Sequence, residues 1–276
     1  IEMLNFGIGG YETSHALLTL EKDVFKYQPD AVLLGFFPGN DVQGNSRELN
    51  TNASWRADKP FYEVHNGELI VPGKLEVPLA RRILYDGVHY SRVLELINEA
   101  RRGFAVWKIK SQASNQASNQ AENNDTAAKT AEIGTYDGVF LPPQNKAWKN
   151  AWVLTEKLLA RMRELSAKHG AQFGLLTIPN AIQVDPSEQK RQRYLDALGA
   201  DDFLYPDRAL SAIGKRQHFA VFPLTRALQA EAVAQNRYLH GFENTALGTG
   251  HMNSYGHEQL AKLVAPKVCG WLGDAQ

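Results

Sequence analysis

The sequence predicts an α/β protein in which helices wind onto both faces of a parallel sheet. Three apolar runs, at residues 31–37, 173–178 and 218–222, are each closed by a proline, Pro38, Pro179 and Pro223. Each run is too short for a free-standing helix and lacks strict alternation, as strands buried on both faces do. The stretches between them carry helical spacing. Strand and helix alternate along the chain, which a doubly wound sheet requires.

Residues 2–6 read as a first short strand, and Gly7-Ile8-Gly9-Gly10 follows as a turn. Thr13 or Ser14 can cap the next helix, whose inner face is Leu17, Leu20 and Val24 with Leu18 and Phe25 beside it. The helix must end before Pro29, so the first forty residues form a β-turn-α-β unit. The run Ala31-Val32-Leu33-Leu34-Gly35-Phe36-Phe37 is then expected as a parallel strand buried on both faces. Open α/β sheets present their ligand groups beyond the carboxyl ends of the strands, and Gly39-Asn40-Asp41 falls there. The same four residues from Pro38 also make a good turn.

Residues 42–60 are polar and rich in Asn, a long loop. Residues 61–65 and 68–71 flank Asn66-Gly67, a strong hairpin signal, read as an excursion from the main sheet over 61–71. A helix is expected over 92–108. Residues 111–132, with their Ala-Ser-Asn-Gln repeats, offer almost no apolar surface to offset the entropy of ordering and read as a disordered insert. Helices are expected at 146–169, closed by Gly170, and at 187–198, 206–215 and 224–234. A last helix carries Leu260, Leu263 and Val264 on one face, with Pro266 expected to kink or end it. The whole of 1–276 is read as one domain.

Apolar residues make up 43% of the 276, enough for a sizeable core, and 30 basic residues balance 30 acidic ones. No basic cluster is interleaved with aromatics, so nucleic acid is not an expected partner. No apolar run approaches the ~20 residues of a membrane span. The single cysteine, Cys269, cannot form an internal disulfide and follows a helical apolar pattern, so it is expected as a small core hydrophobe. Neither metal-ligand spacing nor a phosphate-cradling loop is present, so no metal or cofactor is expected. The chain opens at Ile1 directly in strand-like sequence, and a preceding segment is expected to have been removed.

Three features carry chemistry together. They are Asn5-Phe6-Gly7-Ile8-Gly9-Gly10-Tyr11, then Gly39-Asn40-Asp41, then Gly250-His251-Met252-Asn253 with Gly256-His257. In this order they resemble the second, third and fifth blocks of the SGNH, or GDSL-like, family of serine esterases and acetyl-transfer enzymes. The resemblance is close over residues 3–41 and 247–264 and only architectural between them. It implies a flavodoxin-like three-layer sandwich, with the Gly10 N–H and the Asn40 carboxamide as oxyanion donors and His251 as general base. The implied substrate is a small-molecule or carbohydrate ester. Acyl transfer concentrates negative charge on one oxygen, and preorganised neutral donors stabilise it. A serine hydroxyl is a weak nucleophile until a base stands beside it.

Two departures shape the expectation. The family's Gly-Asp-Ser block, which supplies the nucleophile, is absent, so the chain is expected to lack its first strand and helix and to be inactive as given. Ser14, beside His15, is the nearest substitute. The family's acid, three residues before the histidine, is here Gly248, leaving either a Ser-His dyad with a carbonyl fixing the imidazole tautomer or Glu243 as a remote acid. A non-catalytic glycan- or acyl-polymer-binding module on the same fold is the alternative. In flavodoxin-like order the first strand lies between residues 2–6 and 31–37. Without it those two must pair directly, splay apart or receive a strand from elsewhere, and the isolated chain is expected to be poorly stable.

Overall fold

The structure, a computed structural model, describes residues 2–50, 60–70, 91–93, 95–97, 100, 137–242 and 246–273. The chain divides into two compact units, Ile1–Pro72 with Ala131–Gln276, and Gly73–Thr130. In the second unit residues 92, 93, 95–97 and 100 are helical, within the predicted helix. The insert at 111–132 and residues 51–59 lie outside the described residues.

The first unit is mixed α/β around a three-stranded parallel sheet. Strand β1 (Ala31–Phe36) pairs with β4 (Gln172–Thr177), and β4 pairs with β5 (Ala220–Phe222), all parallel, in the order β1-β4-β5. A separate antiparallel hairpin of β2 (Glu63–His65) and β3 (Glu68–Ile70) turns on Asn66 and Gly67, whose φ angles of 51° and 82° are what a two-residue hairpin needs.

Helix α1 (Thr13–Lys22) begins one residue earlier than expected, with Glu12 as N-cap. Helix α3 (Lys146–Lys168) starts where Asn145 Oδ1 accepts the Trp148 N–H at 3.0 Å. Helices α4 (Glu188–Leu198), α5 (Tyr205–Gln217) and α6 (Thr225–Ala234) lie where the apolar spacing puts them. Leu17, Leu20, Phe36, Val42, Leu158, Leu159, Met162, Phe173, Leu175 and Leu210 form the core on one face of the sheet. Leu176, Val184, Leu224, Leu228, Leu239 and Met252 form a second core on the other. Each large apolar side chain so buried contributes about 1.5–3 kcal/mol.

Four expectations are corrected. Residues 2–6 form no strand, and Met3 and Ile8 are 88% and 55% exposed. An extended segment with no neighbour to take its N–H and C=O groups gains nothing over solvent. For the same reason β1 is not buried on both faces: it stands at the sheet edge, with Leu33 37% exposed. Residues 38–45 are not turn and loop but helix α2 (Pro38–Asn45), because Pro38 sits at a first-turn position whose φ it already has. Finally, Cys269, in helix α7 (Ser254–Gly273), which continues past Pro266, is exposed rather than in the core.

Candidate functional site at the carboxyl end of the sheet

Phe37 is extended and acts as N-cap of α2, so Gly39, Asn40 and Asp41 form that helix's first turn just beyond β1. Their roles are distinct. A Cβ at position 39 would lie 2.3 Å from Asn180 Oδ1, so glycine there lets the carboxamide of Asn180, at the end of β4, lie against the helix. Asn40 is half-buried, and its carboxamide makes no hydrogen bond among the described residues. Asp41 is buried and turns back: its Oδ2 accepts the Phe37 N–H at 2.7 Å and its Oδ1 accepts the Thr13 hydroxyl at 3.1 Å. Burial pushes this carboxyl up to about 7, against the opposing pull of those hydrogen bonds.

Asp41 therefore ties α2 to the start of α1. Two more contacts reinforce the joint. Asn45 Oδ1 accepts the Ser14 N–H at 3.1 Å, and Gly44 leaves room for the Glu12 side chain, which a Cβ would approach to 2.4 Å. Gly10 lies two residues before Glu12, exposed, with φ 82° and open space where a Cβ would go. Ser14 is 2% exposed in the first turn of α1, where a hydroxyl has no access to a substrate.

Backbone hydrogen bonds tie residues 239–241 to residues 248–253. Gly241 N–H donates to the His251 carbonyl at 3.0 Å, Gly248 N–H to the His240 carbonyl at 2.9 Å, and Asn253 N–H to the Leu239 carbonyl at 2.9 Å. The Asn253 carboxamide donates to the Tyr238 and Gly241 carbonyls and accepts the Gly256 N–H at 2.9 Å, capping α7. Gly256 lets the Leu239 carbonyl approach, since a Cβ would come within 2.3 Å of it. Asn253 and Gly256 thus build the loop that presents His251. The His251 ring itself is exposed and has no partner among the described residues.

The imidazole whose tautomer a carbonyl fixes is His240. It is 2% exposed, and its Nδ1 lies 2.9 Å from the Gly250 carbonyl. A carbonyl only accepts, so this contact puts a proton on Nδ1. Burial lowers its pKa, the nearby His251 and His257 lower it further, and the Gly250 and Pro179 carbonyls work against that.

Position 248 excludes the family-type acid for local reasons. Gly248 has φ 77°, and a Cβ there would meet the Tyr238 ring at 2.7 Å and lie 3.4 Å from Asp185 Oδ2. Asp185 is itself engaged, pairing with Lys190 at 2.6 Å and accepting the Ser187 N–H at 2.9 Å. Glu243 lies outside the described residues.

A chain of contacts connects the segments that carry Asn40 and His251. Gly39 meets Asn180, Pro179 precedes Asn180 and its carbonyl acts on His240, and His240 binds Gly250, the neighbour of His251. The sequence reasoning missed Asp41, Asn180 and His240. Only Asp41, within the Gly-Asn-Asp motif, carried a signal that local sequence could have supplied. Among the described residues no group of three or more His, Cys, Asp or Glu is arranged to hold a metal, and no helix is long and apolar enough to cross a membrane. Comparison with protein-family models, with curated proteins and with solved structures found no match to this chain.

Proposed function

We propose that this chain carries the general base and oxyanion donors of an SGNH-type hydrolase of acyl or acetyl esters, whose serine is supplied by residues outside the 276-residue sequence. In this reading the fold is the flavodoxin-like three-layer sandwich. The missing strand lies on the open edge of β1, between it and residues 2–6. His251 takes the proton from the serine hydroxyl as it attacks the ester carbonyl. The oxyanion accepts from the Gly10 N–H and the Asn40 Nδ2, and the imidazolium returns the proton to the leaving alkoxide.

What supports the reading most is the series of contacts from Gly39 to Asn180, from Pro179 to His240 and from His240 to Gly250, which links the segments that carry Asn40 and His251. Asn40, with its carboxamide free of internal partners, is the donor the chemistry asks for. The test uses the natural full-length protein. It should hydrolyse p-nitrophenyl acetate and take up a serine-directed fluorophosphonate, and Asn40→Ala should cut the rate about 10²–10³-fold. A full-length protein without a Gly-Asp-Ser segment, or one that neither turns over nor labels, refutes the proposal.

A second reading, a non-catalytic module that binds a glycan or acylated polymer, is favoured by one observation. The left-handed backbone and the Tyr238 ring at Gly248 deny His251 the acid that would orient it. Saturable polysaccharide binding by a full-length protein that resists the fluorophosphonate would select this reading.

A further inference from the structure

At the amino ends of β4 and β5, opposite the end that holds Asn40 and His251, lies a cavity of about 520 Å³. It is lined by Phe173, Phe219 and Trp271, and its polar lining residues include Arg163, Lys215 and His218 without any carboxylate. That volume falls in the range that small-molecule sites occupy.

The walls are built by specific contacts. Phe173 and Phe219 meet edge to face at 5.2 Å between ring centroids. Trp271 lies across Gly174, where a Cβ would come within 3.0 Å of its ring, and meets Phe222 at 5.8 Å. Gly214 lets α5 close on β5, since a Cβ there would stand 2.4 Å from Val221. His218 ends α5 with φ 56°, and the chain turns sharply there into β5.

The cations are the informative part. Arg161 on α3 pairs with Glu21 and Glu164, and Arg216 on α5 makes a two-point bond to Glu156 at 3.0 and 2.7 Å. Arg163 and Lys215, the cations that line the cavity, have no carboxylate partner among the described residues. Lys215 is in the last turn of α5, where a cation answers the helix dipole. Arg163 lies before the last turn of α3 and has no such role, and it stands one turn from Ala167 on the same wall.

We propose that this cavity binds an organic anion, a carboxylate carried on an aromatic or branched apolar body. The carboxylate pairs with Arg163 and Lys215, and the body lies against Trp271 and the two phenylalanines. A planar guanidinium suits the two oxygens of a carboxylate, and aromatic walls suit an apolar body. The inference is independent of the esterase reading, because none of these residues belongs to that end of the sheet.

The test is titration of the 276-residue chain with 3-phenylpropionate, followed by the indole N–H resonance of Trp271, identified by its loss in Trp271→Phe. Saturable movement of that resonance is expected. The neutral 3-phenylpropanamide and inorganic phosphate, each lacking half of the ligand chemistry, should bind at least about tenfold more weakly. Arg163→Gln and Lys215→Gln should each weaken the carboxylate by about tenfold, and Arg163→Gln should leave the circular-dichroism melt unchanged. Equal binding of acid and amide, unchanged affinity in the double variant, or no saturable movement overturns the proposal. Ester turnover by the full-length protein would leave each of these outcomes as it stands.

Discussion

Replacing Asp41 by asparagine probes the joint between α1 and α2. The carboxyl is buried at 6% exposure and moves from 3.8 to about 7 on folding, with desolvation the largest cause. The folded chain therefore holds a proton over a range in which the unfolded chain has released it. This group's contribution to stability is full below 3.8 and is lost as pH rises through about 7. At 1.36 kcal/mol per unit, the loss is on the order of 4 kcal/mol.

Asparagine stays neutral throughout. Its carbonyl can still accept the Phe37 N–H, and the Thr13 hydroxyl can turn to accept from its amide. Asp41→Asn should match the parent at about pH 4 and exceed it by roughly 2–4 kcal/mol at about pH 8. Urea unfolding of both proteins at the two pH values measures this. If the variant is no more stable at the higher pH, or if both proteins keep the same pH slope, the carboxyl is ionised in the fold and the argument from desolvation is wrong.

Gly39→Ala drives a methyl into the Asn180 carboxamide and should cost about 1–3 kcal/mol in urea unfolding; Asn180→Ala in the same chain should recover part of it, which tests the contact directly. Gly248→Asp, which puts an acid three residues before His251, should destabilise by about 1–3 kcal/mol through its left-handed φ and the Tyr238 ring, and a neutral or stabilising result in a thermal melt would refute the account of that loop. His240 has a pKa lowered from 6.5, so its contribution to stability is present above that value and is lost as pH falls through the lower folded value; its ring proton shifts, followed by NMR, should titrate below 6.5, and titration above it would show the imidazole is not buried neutral.

The parts of the fold that were legible in the sequence are those set by local patterning. The stripe Trp152, Leu158, Leu159, Met162 and Leu165 announces α3 because a helix must bury one face, and Asn66-Gly67 announces the hairpin because few residue pairs take its φ angles. The misread parts depend on what lies alongside. Residues 2–6 have strand composition, but a strand is a paired object, and among the described residues no strand pairs with them. Pro38-Gly39-Asn40-Asp41 reads as a turn because every residue in it suits one. It becomes a helix start because Asp41 reaches back to Phe37 and across to Thr13, a contact spanning 28 residues that local sequence does not record.

The same distinction separates the two histidines. His251 drew notice through its glycine-rich setting, whereas His240, between Leu239 and Gly241, has no motif around it. Yet it is His240 that the fold encloses, with Nδ1 fixed by the Gly250 carbonyl, while His251 stands in solvent. The enclosed imidazole anchors the loop through Gly250, and the exposed one is carried by that anchor. A base for acyl transfer needs a lone pair that a substrate can reach, and a positioning group needs a fixed tautomer and no solvent. On that criterion the two differ: His240 sets the loop against the end of β4, and in the proposed esterase reading His251 is the imidazole that meets the serine hydroxyl.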